Sequence, residues 1–367
     1  MTKKVRLAGF ALLAALWLAL IAGAWFGPTH DISESERRKL AQMPELSVET
    51  ILNGKFMTNF EDFTLDQFPL RDSFRRLKAR VHYNVLLQGD NNGIYVEDGY
   101  AAKLEYPLNQ ASVSGAAEKF NHIYETYLQG TDCNMYVSVV PDKGFYLAES
   151  GGYPAMDYQA LFDTMSSGMD WATFVDISDL LTVGDYYRTD THWRQERIGD
   201  VARRICEAMN ADSFEDAELD KVRLERPFYG VYYGQAALPM EPEAMYYLQN
   251  DLLDGCTVYN YETGKTTKVY DMQKLDSRDL YDIFLSGAAA LLEISNPAAT
   301  SGRNLVVFRD SFGSSLIPLL VKDYATVTVV DTRYIASDLL GQYLQFADQD
   351  VLFLYSTLIL NSSNSLK

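Results

Sequence analysis

Basic residues are scarce in this chain. Its 367 residues include 32 Lys and Arg against 50 Asp and Glu, a formal charge of -18. Lys3, Lys4 and Arg6 fall within the first 26 residues, which hold no acid, so the remainder carries 29 bases against 50 acids, or -21. So acidic a body is a poor nucleic-acid binder, because phosphate binding needs Lys and Arg to displace counterions. Cysteine is scarce too. Cys133, Cys206 and Cys256 have no CxxC spacing, which excludes a disulfide scaffold and a cysteine-rich zinc site and leaves room for one disulfide at most. Histidine occurs four times, at His30, His82, His122 and His192. Nothing in the sequence calls for a metal or a cofactor, and no repeat or low-complexity tract interrupts it. Hydrophobic residues at 47% and charged residues at 22% are globular values. About 340 residues after the leader suffice for one large core or two smaller ones.

Leu7 to Phe26 is an unbroken run of 20 apolar or small residues. At 1.5 Å per residue it spans a hydrocarbon core of about 30 Å. Cations precede it and the acids Asp31, Glu34 and Glu36 follow. That asymmetry places the N-terminus in the cytoplasm and the acidic body outside. Residues 1–27 are therefore read as an uncleaved signal anchor, which fits the length of the run. The alternative is a signal peptide cut at Ala22-Gly23-Ala24.

Residues 28–50 are polar and charged and are expected to form a tether with one helical turn. Residues 51–367 are expected to form the extracytoplasmic domain. Within it, Phe56, Phe60, Phe63, Phe68, Leu77, Val81 and Val85 predict helix over 51–88. Asp98-Gly99 predicts a turn after a short strand at Ile94–Val96. Ala117, Phe120, Ile123 and Tyr127 predict a helix over 114–128. Met135–Val140 reads as a strand buried on both faces, and Thr173–Ile177 as another. Ile198, Val201, Ala202, Ile205 and Met209 line one helical face. Residues 211–285 form a less regular, Tyr-rich insertion, with a hairpin about Thr263-Gly264. The last third alternates again: strand Asn304–Phe308, helix Phe312–Val321 with Pro318 inside it, and strands Thr326–Val330 and Val351–Tyr355. Short β-branched strands separated by helices imply an α/β fold with a mainly parallel sheet and helices on both faces.

Only His192 lies in a dense polar-aromatic motif, Thr189-Asp190-Thr191-His192-Trp193. A carboxylate two residues before a His reaches its ring, fixes the tautomer and stabilises the imidazolium. The same pattern also describes a surface ion pair or part of a metal site, although no cluster of partner ligands accompanies it. The second element is the strand Asn304–Phe308 running into Arg309-Asp310-Ser311-Phe312-Gly313 and then an apolar helix. A Ser at that junction sits at the carboxyl edge of the sheet, where open α/β sheets bind ligands. Ser and Asp are also ordinary helix N-caps, so the junction alone does not choose.

Together, Thr189–Trp193 and Asp310-Ser311-Phe312 resemble the DHHW family of bacterial exported proteins, which is related to the SGNH-hydrolase-like periplasmic alginate O-acetyltransferases. Further segments are similar to family blocks: Glu36–Pro44, Phe60–Phe63, Asp66–Asp72, Pro141-Asp142-Lys143 and Val330–Tyr334. The resemblance covers most of residues 31–360. It implies an SGNH-like fold, with Ser311 as nucleophile, His192 as general base and Asp190 as its orienter. The chain departs from the family at Thr191, where the motif has His, and at Arg309, where the SGNH block has Gly. For the oxyanion the candidates are the Ser311 backbone N–H and Asn361. Lys143, Arg333 and Tyr334 are candidate substrate contacts. Tyr229, Tyr232, Tyr233, Tyr246 and Tyr247 are either a sugar-stacking surface or a packed cluster. The resemblance further implies an O-acetyltransferase acting on hydroxyls of a surface polysaccharide, with a membrane-bound O-acyltransferase as acyl supplier. The alternatives are a carbohydrate esterase with the same triad and a non-catalytic, membrane-anchored polysaccharide-binding or assembly protein.

Overall fold

The computed structural model describes residues 3–33 and 35–367. The chain divides into two compact units, one formed by 1–92 with 233–239 and the other by 93–232 with 240–367.

The smaller unit is helical. Helix α1, Lys3–Phe26, has none of its residues buried and is long and apolar enough to cross a membrane. Residues 28–50 are more ordered than a tether. Ile32-Ser33 pairs with Arg38-Lys39, and Ser47 caps a short helix at Val48–Leu52. Glu36 binds Arg71 and Arg75, while Arg38 binds Asp66, so this stretch is held by ion pairs that composition alone does not reveal. Helices α2 (Lys55–Asp66) and α3 (Arg71–Arg80) supply the helix expected over 51–88. A π-turn at Val81–Val85 extends α3.

The larger unit contains the sheet. Asp98 and Gly99 both have positive φ and close a tight hairpin between Ile94–Glu97 and Tyr100–Lys103. Helix α4 (Gln110–Ile123) starts four residues earlier than its apolar pattern, because Asn109 caps it through Ser112 N–H. Strand β1 (Asn134–Val140) leads into α5 (Gly144–Gly151) and α6 (Tyr158–Gly168). The expected strand at Thr173–Ile177 shortens to β2, Thr173–Phe174; Val175 makes one more bond to Val137, and the chain then leaves the ladder. Helix α7 (Gly199–Ala208) buries the predicted face. The insertion contributes β3 (Thr257–Asn260) and β4 (Lys265–Thr267), the anticipated hairpin. Strand β5 (Leu291–Ser295) was not legible, since it follows an Ala-rich run that favours helix. Then come β6 (Asn304–Arg309), α8 (Gly313–Leu316), β7 (Thr326–Val330) and β8 (Asp350–Ser356).

The strands lie in the order β4-β3-β5-β7-β6-β8-β1-β2. From β7 to β2 every pairing is parallel, and β5, β3 and β4 add an antiparallel edge. Alternation along β8 divides the core. Leu352 and Leu354 face the side covered by α7 and α8, whereas Val351, Phe353 and Tyr355 face α4 and α6. Each such fully buried large side chain contributes roughly 1.5–3 kcal/mol. Pro318 shortens the helix predicted over Phe312–Val321. It offers no N–H to the Ser314 carbonyl, so α8 stops after one turn and continues as 3₁₀ helix over Ile317–Asp323.

Candidate active site

Parallel β6 and β8 end side by side, and their ends are tied by Asp310. Its carboxylate accepts from Ser356 N–H at 2.8 Å, Ser356 Oγ at 2.6 Å and Phe312 N–H at 3.0 Å. The chain therefore turns sharply after Arg309 and presents Ser311 at the carboxyl edge of the sheet. Gly313 is required in that turn, since a Cβ there would lie 2.8 Å from Arg309 Cβ. Arg309 itself does not need to be glycine. Its φ is not positive, and its buried side chain reaches the Asp310 and Gly287 carbonyls and approaches Asp331 at 3.7 Å.

The D-x-H segment meets this turn. His192 Nε2 is 2.7 Å from Ser311 Oγ, and His192 Nδ1 is 2.6 Å from Asp190 Oδ1. Asp190 can only accept, so it fixes the tautomer: Nδ1 carries the proton and Nε2 accepts from the Ser311 hydroxyl. Asp190 also accepts from His192 N–H at 3.1 Å and from Val231 N–H at 2.7 Å. Ser311, His192 and Asp190 thus form one continuous relay. Asp190 is fully buried and His192 nearly so.

Residues from the insertion shape the relay. The Tyr281 ring stacks on the imidazole, with centroids 3.9 Å apart and planes 7° from parallel, and Phe312 packs at 5.0 Å. Tyr281 is anchored through its hydroxyl to Ser315 Oγ, which also accepts from Trp193 Nε1. Burial pushes the Tyr281 phenol well above its ordinary range, so it stays neutral. Glu243 accepts from Thr189 N–H and Oγ1, and Thr189 Oγ1 accepts from Gly230 N–H. Gly230 must be glycine for space: a Cβ would lie 2.3 Å from Asp190 backbone atoms. None of Tyr281, Glu243 or Gly230 stands in a motif. The only signal for them was the density of aromatic and acidic residues in the insertion.

The remaining candidates are placed differently. Lys143 is buried and donates to the Tyr187 and Arg188 carbonyls at 2.9 and 3.4 Å, with its ammonium 5.1 Å from the Tyr232 ring centroid. It braces the segment leading into the D-x-H motif rather than facing an open surface. Burial pushes its pKa down to about 7, against the opposing pull of Asp190, Glu243 and Asp142. Asn361 is engaged elsewhere, donating to Glu105 and accepting from Asn109 N–H. Ser311 N–H donates to no acceptor among the described residues. Arg333 is clasped by Asp331 through Nε and Nη2 at 2.9 and 2.6 Å, and Tyr334 is exposed beside it. Thr191 Oγ1 turns to the Tyr232 hydroxyl, away from the relay. Tyr232 is packed, Tyr247 lies against Tyr270, and Tyr229 is exposed. No group of three or more His, Cys, Asp or Glu side chains with metal-holding geometry occurs among the described residues.

Residues 182–330 match the family model described as DHHW protein, a segment that contains Asp190, His192 and Ser311. No curated protein matches the chain. A solved DHHW family protein from Eubacterium siraeum is 20% identical, over 75% of this chain and 94% of its own, at a TM-score of 0.58. PatB1 of Bacillus cereus, solved with a sulfonyl adduct, is 14% identical over 73% and 97%, at 0.57. The O-acetyltransferase domain of Pseudomonas putida AlgJ is 14% identical over 73% and 92%, with a TM-score of only 0.45. The resemblance to the DHHW family is borne out over residues 182–330, and so is the α/β class with a mainly parallel sheet flanked by helices. At these identities the first two solved structures speak for the fold and not for the chemistry.

Proposed function

We propose that the chain is an extracytoplasmic acyltransferase that moves an acetyl group onto a hydroxyl of a surface polysaccharide through an acyl-enzyme on Ser311. The observation that carries this reading is the relay from Ser311 Oγ through the His192 ring to Asp190, at 2.7 and 2.6 Å. Ser311 Oγ attacks the carbonyl carbon of an acyl donor while its proton passes to His192 Nε2. Asp190 keeps the other ring proton in place and stabilises the imidazolium. The Ser311 N–H is available to the developing oxyanion. Collapse of the intermediate expels the donor's leaving group, which takes the proton from His192 and leaves an ester on Ser311. His192 then deprotonates the acceptor hydroxyl, which attacks that ester, and Ser311 recovers its proton.

The acetyl group, the polysaccharide and a membrane-bound acyl supplier follow from the family resemblance. A relay of buried carboxylate, imidazole and hydroxyl argues against a purely binding role, for which such an alignment has no use. The test is incubation of the chain with an activated acetyl ester, with and without an oligosaccharide. Acetylated oligosaccharide is expected. Release of acetate alone, unchanged by acceptor, would make the protein an esterase, and no turnover at all would defeat both enzymatic readings.

A further inference from the structure

The acidity of this chain is not evenly spread. Residues 93–367 carry 20 bases against 40 acids, whereas residues 71–87 carry five bases (Arg71, Arg75, Arg76, Lys78, Arg80) against the single acid Asp72. That basic stretch is α3 with its π-turn extension. Phe74, Leu77, Val81 and Val85 recur at intervals of three, four and four, which places them in one stripe along the helix. All four are exposed, as are Leu86 and Leu87 just beyond. Phe74 packs edge-on against Phe68 at 5.5 Å, at the border of the unit, while Leu77 and Val81 lie opposite Ala79, the buried position of α3. Lys78 and Arg80 flank it on either side, and Arg76 sits further round.

An apolar stripe of this size costs free energy in water and calls for a covering partner. The same unit indicates what covers it. The last turn of α1 abuts the start of α3: a Cβ on Gly23 would lie 2.9 Å from Pro69 Cγ, two residues before α3 begins. Trp25, at the end of α1, lies 6.1 Å from Phe60 of α2. If α1 spans a bilayer, α3 begins where that span ends, at the depth of the lipid headgroups. A helix with an apolar stripe and flanking Lys and Arg is the kind that lies in that interface, its cations reaching up to lipid phosphates.

We propose that α3 and its extension form an interfacial anchor, with the Leu77–Val81–Val85 stripe dipped into the outer leaflet and Arg76 and Arg80 on anionic headgroups, while Lys78 holds Asn92 Oδ1 at 3.1 Å. The inference rests on the reading of α1 as an uncleaved span. It gives the chain a second membrane attachment that restricts rotation and tilt about α1, as a single helix would not.

The test uses the full chain in vesicles of phosphatidylcholine with or without phosphatidylglycerol. Leu77→Cys and Val85→Cys are labelled with an environment-sensitive fluorophore; Cys133, Cys206 and Cys256 are buried and leave the new thiol as the reactive one. Alkaline carbonate extraction of the same vesicles reports separately on α1. The expected result is a chain that resists extraction, with labels blue-shifted, quenched by spin-labelled lipid and shielded from aqueous iodide. The shielding should weaken without phosphatidylglycerol and in Arg76→Glu/Arg80→Glu, whose exposed side chains leave the fold intact by circular dichroism. Labels open to iodide on a chain that resists extraction would overturn the interfacial anchor while sparing α1, and would point to a protein partner for the stripe. Release of the chain by carbonate would overturn both.

Discussion

At the scale of single residues, small changes at the Ser311 relay and around it are expected to cause unequal losses. Ser311→Ala and His192→Ala are each expected to lower acyl transfer on the order of 10³-fold or more, and the double variant to be little worse than either, because a triad acts as a unit. Asp190→Asn should be milder, since nucleophile and base both remain. Ser311→Ala removes one hydroxyl and is expected to melt close to the wild type; kinetics and thermal unfolding on one preparation check both statements. Gly230→Ala should behave in the opposite manner. Its methyl group needs space now held by Asp190 backbone atoms at 2.3 Å, so stability should fall by about 1–3 kcal/mol and activity should fall with it. Unaltered melting and turnover in Gly230→Ala would show that the loop carrying Val231 N–H does not fix Asp190. Asp190, His192 and Ser311 were legible because each sits in a compact motif. Gly230, Glu243 and Tyr281 were not, because they reach the site only through tertiary folding of an irregular insertion.

At the scale of elements, the strands β1, β6, β7 and β8 are readable from nearly continuous apolar and β-branched runs, and α7 from its single buried face. The edge of the sheet was harder to read. Strand β5 is five residues long beside an Ala-rich run, and β2 holds only two residues in the ladder, so local composition outweighed the pairing that defines them. Lys143 at the start of α5 shows how an element can position a site without joining it. Its ammonium ties the Tyr187 and Arg188 carbonyls, just ahead of the D-x-H motif. Its pKa is about 7 in the folded chain and 10.5 ordinarily. Between those values the unfolded chain holds a proton that the folded chain does not, so the Lys143 contribution to stability rises with pH. The cost of burying the charge is full below about pH 7 and absent above the ordinary value. Thermal unfolding of wild type and Lys143→Met at about pH 6 and about pH 9 should show a rise in the wild type that the variant lacks, over and above their common pH dependence. Parallel curves would mean that Lys143 does not titrate in that range.

At the scale of the whole molecule, the sequence divides its charge as it divides its tasks. Lys3, Lys4 and Arg6 open α1, residues 71–87 are basic, and the unit bearing the Ser311 relay is acidic. The reading of α1 as an uncleaved anchor predicts that protease added to intact cells removes the body, while the N-terminus of the mature chain still reads Met1-Thr2. A mature chain beginning at Trp25 would contradict it. The acidic unit is also expected to be inert to thiol reagents until unfolded. Burial pushes Cys206 up to about 12 and Cys256 up to about 11, and Cys133 is buried as well. In the proposed reaction Ser311 carries an acyl group between donor and acceptor. The most direct measurement is mass spectrometry of the chain quenched in acid during turnover of an activated acetyl ester. The expected result is the mass gain of one acetyl group on the peptide containing Ser311, its loss when an oligosaccharide is added, and its absence in Ser311→Ala. Turnover with no acyl group on Ser311, or an equal gain in Ser311→Ala, would contradict it.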